Sequence, residues 1–155
     1  MTIEIESRES IEKRANESFP ARIALISITD SDADFVTLKN MPEYLFQMKF
    51  DDVTDEDLEY HLGRKPTETE KLQIAEKIHM FKDGQAEEIA EFVKSILSVA
   101  DILICQCEYG QSRSAGLAAA VRQFLYKDGI EIFADDRYYP NKLAYRKVLS
   151  ALEDL

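Results

Sequence analysis

The chain has 155 residues, the length of one ordinary domain, and 45% of them are apolar, including eight Phe and seven Tyr. That supply of bulky side chains can bury a core and excludes wholesale disorder. The formal charge of −11 at pH 7 opposes nucleic acid and anionic membrane surfaces, unless a local basic site overrides it.

The predicted elements alternate along the chain. Thr2 to Ser7 alternates apolar and polar residues, a short strand, and Glu9 to Ser18 reads as an exposed helix. Arg22 to Thr29 is a β-branched apolar run that predicts a buried strand, closed by Asp30-Ser31-Asp32. Tyr44 to Phe50 predicts another strand, closed by Asp51-Asp52. Asp55 to Leu62 reads as a short acidic helix stopped by Gly63. Thr69 to Met80 reads as a helix carrying Leu72, Ala75, Ile78 and His79 on one face. Gln85 to Ala100, just after Gly84, has the clearest helical stripe: Ile89, Phe92, Val93, Ile96, Leu97 and Ala100.

Ile102 to Cys105 is too short for a helix and reads as a fully buried strand. A helix follows from about Arg113, striped by Leu117, Ala120, Val121, Phe124 and Leu125 and stopped at Gly129. Ile130 to Phe133 is expected as one more strand or an extended link. Asn141 to Leu152 forms the last helix, opened by Pro140. Strands alternating with helices define an α/β class with a mostly parallel central sheet flanked by helices. One domain over residues 1–155 is expected.

No run approaches the roughly 20 apolar residues of a membrane span, and the acidic N-terminus does not resemble a signal peptide. Cys105 and Cys107 are one residue apart, too close for an unstrained bridge, so a reducing, cytoplasmic setting is expected.

The segment that carries chemistry is Cys107-Glu-Tyr-Gly110-Gln-Ser-Arg113-Ser114, between a buried strand and a helix. A loop in that position is an anion cradle, with backbone N–H groups and a helix N-terminus supplying positive potential. A Cys there favours its thiolate. The planar fork of Arg113 can hold two phosphate oxygens, and a thiolate beside a bound phosphate is a nucleophile within reach of phosphorus.

Cys107-x5-Arg113, with Gly110 inside and Ser114 after it, resembles the signature loop of the cysteine-dependent protein tyrosine phosphatases. It is nearest the compact dual-specificity phosphatases and their bacterial relatives. The likeness spans about Arg22 to Leu155 and leaves residues 1–20 as an unmatched N-terminal extension. It implies a protein tyrosine phosphatase-like fold and a phosphomonoesterase that removes phosphate, through a phosphocysteine, from phosphotyrosine alone or from phosphotyrosine together with phosphoserine and phosphothreonine. Cys107 would be the nucleophile and Arg113 the phosphate clamp. Asp52 would be the general acid, with Asp51, Asp55 and Asp57 as alternatives, and Ser114 would assist departure of the sulfur. Glu108, Tyr109, Gly110, Gln111, Ser112 and Arg113 would bind phosphate, and Asn141 is a water-positioning candidate or a helix N-terminal residue. No cofactor or metal is implied. The expected partners are a phosphorylated protein or peptide and inorganic phosphate or a similar oxyanion, not nucleic acid or a membrane.

The family usually has His before the nucleophile, where this chain has Gln106. That departure motivates a second reading, a phosphate-binding pseudo-phosphatase module with little turnover. An arsenate reductase or sulfur transferase is a third. The loop residues Glu108, Tyr109, Gln111 and Ser112 include no Lys or Arg, which disfavours polyanionic inositol phosphates. Cys105 is expected to pack in the core, His61 and His79 to be ordinary surface or packing residues, and Tyr138 and Tyr139 to be wholly or partly buried, with pocket lining as the alternative for that pair.

Overall fold

A computed structural model describes residues 1–155. The order is β1 (Thr2–Glu6), α1 (Arg8–Arg14), β2 (Ile23–Thr29), β3 (Tyr44–Lys49), α2 (Asp55–Leu62), α3 (Glu68–Lys77), α4 (Asp83–Ile96), β4 (Ile102–Gln106), α5 (Arg113–Tyr126), α6 (Ile130–Phe133) and α7 (Lys142–Asp154). The four strands form one entirely parallel sheet in the order β1-β4-β2-β3.

Burial follows that order. The central strands β2 and β4 are buried along nearly their whole length, so they read as continuous apolar runs. The edge strands β1 and β3 are half-buried and carry Glu4, Glu6 and Gln47. Alternate residues of the central strands serve opposite faces. Ala24, Ile26, Ile28, Leu103 and Cys105 join the larger core with α4, α5 and α7, while Ile23, Leu25 and Ile104 pack against Ile11 of α1 and Val36.

Several expected details change. Residues 2–6 belong to the sheet: Glu4 aligns with Ile104 and Glu6 with Gln106, beside the strand that leads to Cys107. Ile130–Phe133 is the short helix α6 rather than a strand or extended link. A four-residue run with three apolar side chains does not distinguish the two by pattern, and the Arg122 guanidinium ties this turn to α5 through Asp128 and Glu131. No residue of α3 is fully buried: Ala75 and Ile78 of its expected face pack half-buried against the larger core, whereas Leu72 is 73% exposed and His79 is exposed. Gly84 lies inside the first turn of α4, and Leu97 is its partly exposed C-cap. The α5 helix stops at Tyr126, with Lys127 left-handed at its C-cap, before Gly129 is reached. Its first half, Arg113 to Val121, is buried all round. Ala and Gly at 115, 116 and 118–120 keep this helix thin enough to sit within the helical layer against α7.

Candidate active site

The site forms at the C-terminal ends of β2, β3 and β4, the usual ligand-binding rim of a parallel sheet. β4 ends at Gln106, and the loop from Cys107 to Ser112 runs into α5. A cleft of about 250 Å³ opens there, lined by Asp52, Cys107, Tyr109, Gln111, Ser112, Arg113 and Tyr139. Cys107 is 2% exposed and Arg113 is 4% exposed, so the nucleophile candidate and the cation lie on the cleft floor.

The loop is built to leave its backbone donors free. None of the backbone N–H groups from Glu108 through Ala115 has a hydrogen-bond acceptor in the protein. Buried amides are ordinarily paired, so such a run is an anion-binding concavity, reinforced by the positive end of α5. Gly110 makes the turn possible with φ +66° and packs directly on the β1–α1 junction; a Cβ there would lie 2.8 Å from the Glu6 carbonyl carbon and the Ser7 nitrogen. The junction also binds the loop: Cys107 N donates to Glu6 O at 3.3 Å, and Arg8 N donates to Glu108 O at 3.0 Å.

Arg113 is held by two acceptors. Its Nη1 donates to the Phe50 carbonyl at 2.7 Å, and its Nη2 lies 2.6 Å from Asp30 Oδ1. Its Nε is buried with no partner. An arginine fixed on one side with a free, buried N–H on the other is poised for an oxyanion. The chain pattern signalled Asp30 only as the end of a strand; its role against Arg113 depends on β2 lying next to β4. Ser114 Oγ sits 3.1 Å from the Cys107 sulfur, within hydrogen-bond reach.

Gln106 is buried and fully used. Its side-chain oxygen accepts a hydrogen bond from Ser27 Oγ, and its Nε2 donates to the Cys107 carbonyl at 2.9 Å. A neutral amide therefore anchors the backbone beside Cys107 in this chain. Cys105 is buried in the larger core, and burial pushes its thiol far above the ordinary range. It packs as expected.

Of the four carboxylates considered for the acid, Asp52 alone lines the cleft. Asp51 accepts from Ser31 N at 2.9 Å and Ser31 Oγ at 2.8 Å. Asp55 pairs with Arg146 at 2.9 Å, and Asp57 closes the capping box of α2 with Thr54. Asp52 Oδ1 accepts from Ser112 Oγ at 2.7 Å and Asn141 Nδ2 at 2.8 Å. Ser112 thus turns its hydroxyl toward the carboxylate, a contact beyond the phosphate-binding role expected of it. Asn141 is the N-cap of α7, accepting from Ala144 N at 2.9 Å, and touches Asp52 as well. Tyr139, expected to be at least partly buried, is 73% exposed on the cleft rim opposite the loop's own Tyr109, and Tyr138 is half-buried elsewhere. His61 and His79 are exposed and lie outside the cleft.

The class this architecture defines is the protein tyrosine phosphatase-like α/β fold: a parallel sheet whose last strand leads through Cys107 and a short loop to Arg113 at the start of α5. No protein-family model and no curated protein matches the sequence. Among solved structures, PTPMT1 matches over 99% of this chain and 90% of that chain, with a TM-score of 0.52 at 12% identity. PTPMT1 in complex with PI(5)P matches with a TM-score of 0.49 at 10% identity, over 99% and 88% of the respective chains. Human DUSP28 matches with a TM-score of 0.47 at 15% identity, over 98% and 92%. The first likeness shows the fold. No helix of the chain is long and apolar enough to cross a membrane.

Proposed function

We propose that the chain is a cysteine-dependent phosphatase that removes phosphate from phosphotyrosine, and secondarily phosphoserine or phosphothreonine, in proteins. The observation that carries this reading is the run of unpartnered N–H groups from Glu108 to Ala115, together with the free Nε of Arg113, around a buried Cys. Cys107 sulfur attacks phosphorus in line as the bond to the leaving oxygen breaks, and Asp52 gives that oxygen its proton. The product is an S-phosphocysteine. Water then attacks phosphorus, Asp52 takes the water's proton, and the sulfur–phosphorus bond breaks to return the thiolate beside the Ser114 hydroxyl. The loop amides and Arg113 hold the equatorial oxygens throughout.

Protein phosphosites are favoured over inositol phospholipids because the loop side chains add no Lys or Arg and the chain is strongly acidic. The test compares wild type and Cys107→Ser on p-nitrophenyl phosphate, a phosphotyrosine peptide, a phosphoserine peptide and PI(5)P. Turnover of the tyrosine peptide above the others, abolished in the variant, is the expected result. Equal rates in both proteins would remove Cys107 as nucleophile, and preference for PI(5)P would replace the protein substrate with a lipid. Tight orthovanadate binding without turnover would favour the phosphate-binding module.

A further inference from the structure

We infer that Ser112 and Asn141 are positioning residues for the acid: together they hold one oxygen of Asp52 so that the other delivers the proton. The inference rests on the proposed reaction and deepens it. Asp52 is exposed, on a connection between β3 and α2 without regular structure. Left alone, such a side chain samples several rotamers, and ordering it costs entropy. Here Oδ1 accepts from Ser112 Oγ at 2.7 Å and Asn141 Nδ2 at 2.8 Å, whereas Oδ2 has no partner in the protein.

The orientation of the Asn141 amide follows from its surroundings. Its oxygen must face the Ala144 N–H to cap α7, so its nitrogen faces Asp52. An amide nitrogen only donates, so Oδ1 accepts from it in either protonation state of the carboxyl. The exchangeable proton consequently belongs on Oδ2. Ser112 is the N-cap position of α5, but its hydroxyl makes no capping hydrogen bond, leaving it free for Asp52.

The two donors are themselves locked together. Asn141 N donates to the Ser112 carbonyl at 3.0 Å, and Tyr139 N donates to the Gln111 carbonyl at 2.8 Å. Gly116 allows that approach, since a Cβ there would lie 2.5 Å from the Asn141 carbonyl oxygen. The anion loop, the start of α7 and the acid therefore form one rigid assembly.

Acid positioning has a signature that a general structural role lacks. A misplaced acid slows esters with a basic leaving group and spares those with an acidic one. For Ser112→Ala and for Asn141→Ser, which retains an oxygen to cap α7, kcat/KM on phenyl phosphate should fall roughly fivefold further than kcat/KM on p-nitrophenyl phosphate. Ser112→Thr keeps the hydroxyl and should restore the phenyl phosphate rate. In an Asp52→Ala background, Ser112→Ala should cost nothing more, as a double-mutant cycle reads coupling. Equal losses on both esters, or a full Ser112→Ala loss without Asp52, would overturn the inference while leaving the phosphatase reading intact. A wild-type protein inert toward both esters would sink that reading and the inference with it.

Discussion

Gly110→Ala is the most demanding single substitution for this architecture, and its effect can be worked from the loop itself. Gly110 has φ +66°, and the new methyl carbon would sit 2.8 Å from two backbone atoms of the β1–α1 junction and 3.0 Å from the Glu6 oxygen. Backbone atoms cannot swing aside as a flexible side chain does. The left-handed conformation costs about 1–2 kcal/mol for a residue with a Cβ, and forcing an extra methyl into a packed site adds about 1–3 kcal/mol, for a total of about 2–5 kcal/mol. In a chain of this size that corresponds to a fall in Tm of roughly 5–15 °C. Gly63→Ala is the matched control, because Gly63 has φ +69° but open space around its Cβ position. It isolates the conformational cost at about 1–2 kcal/mol. Calorimetric melting of the two variants decides the matter. The displaced loop should also lose affinity for orthovanadate in Gly110→Ala, read by titration calorimetry, while Gly63→Ala binds normally. If Gly110→Ala melts at the same temperature as Gly63→Ala and binds orthovanadate as wild type does, the loop is not braced by the N-terminal strand and the reasoning fails.

Two further predictions concern the floor of the cleft. Asp30→Ala removes the carboxylate 2.6 Å from a buried guanidinium, and because Asp30 is itself about one-third exposed the expected loss is roughly 1–3 kcal/mol rather than the larger figure for a fully buried pair; an unchanged urea midpoint in phosphate-free buffer would contradict it. In the folded protein, iodoacetamide should modify Cys107 through the cleft and leave Cys105 untouched, because burial disfavours the Cys105 thiolate and keeps that thiol protonated through the ordinary alkaline range. Inorganic phosphate should protect Cys107, and peptide mapping that found Cys105 modified first would reverse the assignment of the two cysteines.

The net charge of the whole chain, −11, does not oppose the proposed anion site, because the attraction there is confined to loop amides, one arginine and one helix end. That local device was legible in the chain. The strand, the loop and the opening of α5 are contiguous, so their residue types and spacing follow from local chemistry: β-branched residues for the strand, Gly110 for a left-handed turn, Arg113 and Ser114 at the start of a helix. The order of elements and the parallel sheet were legible for the same reason, since periods of two and 3.6 are local patterns.

What the chain alone left open involves contacts between distant residues. The four aspartates from Asp51 to Asp57 are similar as sequence, and only the packing of β3 beside β2 and the approach of α7 commit Asp51 to Ser31 and bring Asp52 to Ser112 and Asn141. Asp30 reaches Arg113 because β2 is the neighbour of β4, 83 residues apart at the paired salt bridge and invisible to any local pattern. The first residues carry no motif, yet β1 supplies the edge against which Gly110 is pressed. The exposure of Leu72 on α3 and the helical turn at Ile130–Phe133 were decided likewise by which neighbours were available, not by the apolar pattern. Sequence therefore determined the loop from Cys107 to Arg113, whose parts are adjacent along the chain, and tertiary structure decided the surroundings of Asp52 and the brace on Gly110, whose parts meet only when the sheet closes.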